Sequence, residues 1–294
     1  MSAAPSSRGD GTGARAARKA RDARLAQLDF DRAPFTIAWE VTRACAYSCL
    51  HCRADAQPRR HPLELTTAEG RALIEELATF GTRPILVLTG GDPLMRRDIF
   101  VLARHADRHG LRVSLTPTAT ALATRARMRA AGEAGIRRVA FSLDAAEPGA
   151  HDHFRGFEGS FARTITGIEN ARAEGLSLQV NTTVCRLNRG ELERMVPLLE
   201  RLGVVQWSVF FLVPTGRGTG LPMLSAGEHE QVLGWLHELS RDAPFDVKST
   251  AAPQYRRIAA QRSRDDRNTH GAAAGPERHR TAGGPLAGAG YRFA

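Results

Sequence analysis

The sequence is poor in cysteine, with four among 294 residues and none after Cys185, and it lacks any long apolar run. Its longest apolar stretches, PILVL at 84–88 and WSVFFLV at 207–213, fall far short of the ~20 residues that cross a bilayer. No transmembrane helix is expected. The first 20 residues carry basic charge but no apolar segment of the kind that directs secretion. These absences point to a cytoplasmic protein, where thiols stay reduced and clustered cysteines bind metal more often than they pair. Acidic charge is also short, and the formal net charge is +10. The excess lies at the ends: residues 1–34 hold seven basic groups against four acidic ones, and residues 253–294 hold eight against three. The charge therefore describes two tails around a nearly balanced middle, and contact of the N-terminal cluster with nucleic acid is only the alternative reading.

Between residues 35 and 213 short runs rich in β-branched and aromatic residues alternate with amphipathic stretches. Strands are expected at 35–41, 84–88, 112–116, 138–143, 177–184 and 207–213. The segment TTAEGRALIEELATFG (66–81) reads as a helix capped by Thr66 or Thr67 and stopped by Gly81. GELERMVPLLERLG (190–203) has the same form, with Pro197 expected to kink it. Six β/α units in order predict an α/β fold, a partial (β/α)6 TIM-like barrel short of the eight units that close a full one. A helical extension is expected over 217–261, with Ser225 as a cap. Residues 1–34 read as a disordered basic tail and 262–294 as low-complexity disorder.

Three of the four cysteines fall in CAYSCLHC: Cys45, Cys49 and Cys52, spaced C-x3-C-x2-C. The loop follows the first strand, where an α/β barrel places its chemistry. A disulfide would leave one thiol over. Zinc with His51 as fourth ligand is one reading, although adjacent His51 and Cys52 converge poorly on one ion. A [4Fe–4S] cluster is the other, each thiolate holding one iron and the fourth iron left open for a chelating small molecule. Cys185, at the end of the fifth strand, reads as a small buried thiol.

The spacing, with the ring of His51 just before the last cysteine, resembles the signature of the radical S-adenosylmethionine enzymes. The resemblance covers roughly residues 35–216. It implies that the methionyl amine and carboxylate of S-adenosylmethionine chelate the open iron, and that reductive cleavage gives a 5′-deoxyadenosyl radical for hydrogen abstraction. Such chemistry needs an electron donor such as flavodoxin or ferredoxin. LTGGDPL (88–94) is similar to the family's Gly-Gly-Glu motif, which places Gly90, Gly91 and Asp92 at the methionyl amine. By the same resemblance Ser142 contacts the ribose or methionyl end and Arg155 pairs with the methionyl carboxylate. Asn181, in the polar face Gln179, Asn181 and Thr183, meets the ribose, and Val213, Thr215 and Gly216 flank the adenine. His151 and His153 read as solvated or capping. Substrate-facing candidates are Glu40, Thr42, Thr116, Thr118 and Phe211. TPTAT (116–120) departs from the Thr-Asn-Gly turn of many peptide-modifying relatives. It looks more like the subgroup holding the haem-forming iron-coproporphyrin decarboxylases and related SPASM-type maturases, so the substrate expected is a tetrapyrrole or a peptide. That subgroup continues into a cysteine-rich auxiliary domain, and a chain truncated or frame-shifted near residue 262 is the expectation here.

Overall fold

The computed structural model describes residues 29–271, with side chains through 264. Most of the two expected tails lies outside the described residues. Within them, residues 29–34 form a turn in which Ala33 is buried, and residues 262–271 are helical where a disordered tail was expected.

Seven strands form one parallel sheet in sequential order. They are β1 (Thr36–Glu40), β2 (Ile85–Thr89), β3 (Arg112–Leu115), β4 (Ile136–Ser142), β5 (Ser177–Val184), β6 (Gln206–Phe211) and β7 (Asp246–Thr250). The α-helices between and after them are α1 (Thr67–Leu77), α2 (Ile99–Arg108), α3 (Arg125–Glu133), α4 (Pro148–Arg155), α5 (Ser160–Ala173), α6 (Leu192–Leu202), α7 (Ala226–Asp242) and α8 (Tyr255–Gly271). Each parallel step needs a crossover, and the helices supply it, curling the sheet into a half-barrel whose edges are β1 and β7. The seventh strand corrects the expected helical extension over 217–261. In FDVKST only Phe245 and Val247 are buried, so an edge strand covered on one face leaves too little apolar pattern to read. Among the described residues no helix is long and apolar enough to cross a membrane.

Strand parity separates two surfaces. Leu86 and Leu88, Val113 and Leu115, Val139 and Phe141, Val180 and Val184, and Trp207 and Val209 are buried under the helices. The other parity lines the concave side: Ser142 pairs with Asn181 and Asn181 with Ser208, all on that face. Phe211 belongs to the first set, buried and stacked on His229 of α7 at 5.1 Å. It is core, not substrate-facing, and Phe210 is the concave neighbour. Thr66 caps α1 and Ser225 caps α7, each with a reciprocal capping box. α1 ends at Leu77, before Gly81, and α6 runs through Pro197 to a left-handed cap at Gly203.

Beneath the sheet, the fully buried Trp207 donates its indole N–H to Thr182 Oγ1 at 2.8 Å, and Thr182 donates onward to the Leu143 carbonyl at 2.6 Å. Thr182→Val keeps the shape but orphans both partners, each at about 1–3 kcal/mol. Urea unfolding should show that loss. A change within about 0.5 kcal/mol, the size of a neutral surface substitution, would contradict the network.

Candidate functional site

The chain after β1 leaves the sheet as a closed loop from Thr42 to Gln57. Ala44 and Gln57 form a parallel bridge, the Cys45 amide donating to the Gln57 carbonyl at 2.8 Å and the Gln57 amide to the Arg43 carbonyl at 2.9 Å. Its entry is fixed twice. Glu64 Oε1 accepts from the Thr42 hydroxyl and the Arg43 amide at 2.9 Å and from the His61 amide at 3.0 Å, while Oε2 accepts from Arg60. Arg96, buried and bidentate to Asp98, donates to the carbonyls of Val41 and Leu65, each at 2.9 Å. Thr42 is therefore a structural tie and not a substrate contact. Glu40 is exposed and pairs with Arg53.

Inside the loop Cys45 and Cys49 are buried and Cys52 half-buried, packed with Tyr47, Ala56 and Phe157. All are free thiols. Burial pushes the Cys45 and Cys49 thiols up from their ordinary range, so they stay protonated until a metal displaces the proton. A tetrahedral zinc with bonds of ~2.3 Å brings its sulfurs within about 4 Å of one another. Among the described residues, no trio that includes these cysteines has all its donor atoms within 4.8 Å, with His51 or without it. The three thiols are not drawn together on a single point. His51 instead stacks on Phe154 at 4.5 Å, and burial lowers its imidazole to about 4, leaving it neutral with Nδ1 buried and unpartnered. Cys185 is fully buried in a separate cluster with Phe154 and Leu212.

Four glycines hold other loops against this one. A Cβ at Gly90 would stand 2.2 Å from the Thr42 carbonyl oxygen, at Gly91 2.4 Å from that of Ala44, at Gly156 2.5 Å from that of Ser48, and at Gly216 2.5 Å from that of Cys52. The close approach at Gly90 and Gly91 is thus made to the cysteine loop. The Gly91 amide donates to Thr42 and the Asp92 amide to Ala44, at 2.8 and 2.6 Å. Asp92 itself is fully buried. Its Oδ1 accepts from the amides of Leu94 and Thr118 and its Oδ2 from the Thr120 hydroxyl at 2.7 Å, and burial pushes its carboxyl up. Thr118 donates to the Gly91 carbonyl at 2.6 Å and is the neighbour of Cys45 Sγ at 3.7 Å. Thr116, half-buried, lies just outside this knot.

On the β4 side, Arg155 is buried and paired with buried Asp144 at 3.4 Å. Asp144 also accepts from the Thr183 amide at 2.8 Å, and its own amide donates to His151 Nδ1 at 3.1 Å. His151 is thus buried and neutral, lowered to about 4 by burial, with Nε2 unpartnered. This corrects the expectation of a solvated side chain, whereas His153 is exposed as expected. Pro148 starts a helix here, and its inner face carries His151 and Arg155. After β6, the Arg217 amide donates to the Cys52 carbonyl and its Nε to the Cys49 carbonyl, both at 3.0 Å, while Nη2 is buried without a partner. Val213 is exposed beside it, and the Thr215 amide turns back to the Val213 carbonyl. Ser142 and Asn181 lie side by side on the concave face, where Asn181 Oδ1 accepts from Gln179 at 2.8 Å. Asp144, His151, Thr120 and Arg217 were not singled out from sequence as parts of the site. Asp144, just after β4, and Arg217, next to Gly216 in the loop after β6, had a positional hint.

The description "Radical SAM superfamily" matches residues 39–199. The chain is 41% identical, over 78% of its length, to the AdoMet-dependent heme synthase of Nitratidesulfovibrio vulgaris, and spans 63% of that relative. It is 33% identical to the Fe-coproporphyrin III synthase of Methanosarcina barkeri, covering 74% of this chain and 54% of the relative. The fold superposes on Streptococcus suis SuiB bound to S-adenosylmethionine with a TM-score of 0.63 at 14% identity, covering 81% of this chain and 55% of that one.

Two outcomes test this geometry. Gly91→Ala sets a methyl against backbone and should cost more than about 1 kcal/mol and speed thiol labelling of Cys45 and Cys49. Gly149→Ala, whose methyl meets nothing within 4 Å, should do neither, and equal behaviour of the two variants would refute the packing argument. For Glu64, burial works against ionisation, but its donors outweigh it and hold the carboxyl below the usual range. A depressed carboxylate stabilises above its unfolded pKa, and the benefit fades as pH falls through the folded value. The stability gap between wild type and Glu64→Gln should therefore shrink once pH drops below about 4. A gap independent of pH would mean that the charge is not what ties the loop.

Proposed function

We propose that this chain, which belongs to the radical SAM superfamily, binds a [4Fe–4S] cluster through Cys45, Cys49 and Cys52 and S-adenosylmethionine beside it. The observation that carries the reading is the loop itself: three free thiols not drawn together on one point, gripped by the turns after β2 and α4 and by the loop after β6. Two buried orphan atoms on its flank, His51 Nδ1 and Arg217 Nη2, are sites a bound polar group would satisfy. When bound, the cluster and S-adenosylmethionine supply an electron and a 5′-deoxyadenosyl radical for hydrogen abstraction.

The chain's own residues then divide the work. Cys45, Cys49 and Cys52 lose their protons to hold the irons. Arg155, kept charged and oriented by Asp144, sets a buried cation near the sulfurs and on the side proposed for the methionyl carboxylate. Because the Asp92 carboxylate is engaged by Thr118 and Thr120, the methionyl amine is assigned to the backbone edge of Gly90 and Gly91, with Asp92 holding that edge in place. Ser142 and Asn181 are assigned to the ribose, and Val213 to the rim of the adenine pocket. Arg217 positions the loop by holding the Cys49 and Cys52 carbonyls. The core of residues 35–216 is extended by β7, which belongs to the same sheet. The substrate proposed is a tetrapyrrole, on the strength of the 41% identity to a heme synthase, and the electron donor is of the flavodoxin or ferredoxin class.

Anaerobic reconstitution should give about four irons per chain, and reduction in the presence of S-adenosylmethionine should give 5′-deoxyadenosine. Cys49→Ala should lose both; a variant that kept both would overturn the assignment. With iron-coproporphyrin, loss of carbon dioxide by mass spectrometry is expected. Turnover of a peptide but no porphyrin would replace the substrate class while leaving the cluster assignment intact.

A further inference from the structure

The crossover helices α1 and α2 end near the starts of β2 and β3, at the end of the strands opposite the cysteine loop, and there they bring together Glu75, His105 and His109. Glu75 Oε1 lies 3.0 Å from His105 Nε2. His109, the C-cap of α2, sits one turn after His105, their rings 4.4 Å apart. One donor atom from each of the three residues falls within 4.8 Å of the other two. His109 Nδ1 is 2.9 Å from the His105 carbonyl. A carbonyl only accepts, so Nδ1 carries the proton and the Nε2 lone pair is left for a ligand. Metal-binding histidines are oriented by this kind of backbone bond. Both imidazoles are partly exposed, so an ion can reach them without opening the core. The C-terminal end of α2 adds a favourable partial negative charge.

We propose that Glu75, His105 and His109 form a site for a divalent first-row transition ion, zinc foremost, with water completing the coordination. Two imidazoles and one carboxylate suit zinc or its neighbours better than calcium or magnesium, which take oxygen donors. The surroundings argue the same way. Arg71 one turn before Glu75 and Arg104 and Arg108 in α2 oppose an ion held by charge alone. Bonds of ~2.0–2.1 Å require the donors to close to about 3.4 Å, a movement within reach of the exposed Glu75 carboxylate and the His109 ring. The ion would bridge α1 to α2 across the outside of β2 and staple the two helices.

The test uses the full chain with its cluster loaded, so that the thiols are occupied, titrated with zinc against a chromogenic chelator. One zinc beyond the cluster is expected, with a rise in the thermal midpoint. His105→Ala and His109→Ala should each weaken it by more than the roughly 10–100-fold that loss of an outer-shell partner costs, Glu75→Gln should weaken it less, and His153→Ala, at an exposed position of α4, should change nothing. Cobalt substitution adds a spectroscopic check: histidine and carboxylate ligation gives weak visible bands without intense thiolate charge transfer. No zinc beyond the cluster, or equal zinc in wild type and all four variants, would overturn the site. Glu75→Gln leaves a surface side chain of the same shape and so keeps the test valid should a histidine variant unfold. The difference between wild type and the histidine variants reads this site whatever the cysteine loop binds.

Discussion

The site depends on backbone meeting backbone around the cysteine loop. Four carbonyls of that loop, at Thr42, Ala44, Ser48 and Cys52, each lie where another segment's Cβ would have to be, and each segment presents a glycine there. A loop carrying three thiols for one cofactor cannot rely on a large hydrophobic core of its own; the apolar cluster around its cysteines holds Tyr47, Ala56 and Phe157 among the described residues. It is held instead from three sides, by the turns after β2 and α4 and by the loop after β6. The constraint is steric, so it fixes position without placing charge near the sulfurs. Charge is then added selectively, by one buried arginine whose partner Asp144 is buried with it.

That constraint also explains what could be read from the sequence. The cysteine spacing, the Gly-Gly turn and the strand-helix rhythm are local patterns, and they place the six strands within a few residues and the thiols in one loop. The reason for the glycines was not local. From sequence they suggest close approach to a ligand, whereas the space they leave is filled by the chain itself. Asp144 and Arg217 were hidden for a related cause, because they act through partners distant in sequence, Asp144 reaching 39 residues on to Thr183 and Arg217 reaching back 168 residues to Cys49. The strand β7 escaped because an edge strand with one wet face carries only half a pattern. Phe211 was assigned to the wrong face because a one-residue shift in strand parity exchanges core for lumen.

The concave face differs in kind from the core behind it. Gln179 reaches both Asn181 and Ser208, and Gln206 reaches Ser208 as well, at 2.8 to 3.3 Å. These bonds satisfy the polar groups along β5 and β6 and once across them, so the face can remain polar without stored desolvation. It is a surface on which a ligand's hydroxyls and carboxylates can exchange hydrogen bonds at little net cost, whereas the apolar parity of the same strands supplies the rigidity.

Two departures from the family pattern, read separately in the sequence, turn out to be one. Asp92 stands where a glutamate is usual, and TPTAT stands where a Thr-Asn-Gly turn is common. In the structure the shorter carboxylate is received by that very loop, through the Thr118 amide and the Thr120 hydroxyl, and Ala119 between them takes a left-handed conformation at φ 61°. Strain of that kind in a residue with a Cβ persists only where the surroundings fix it. Here they do: the Ala119 carbonyl accepts from the Tyr47 hydroxyl at 3.0 Å, and Thr118 bridges the Gly91 carbonyl and Cys45 Sγ. A longer acid at position 92 would have to displace Thr118 or Thr120, and a third-strand loop without these donors would leave the buried Asp92 with the Leu94 amide and no donor to its Oδ2. The pair behaves as a unit, and the unit sits directly on the first cysteine.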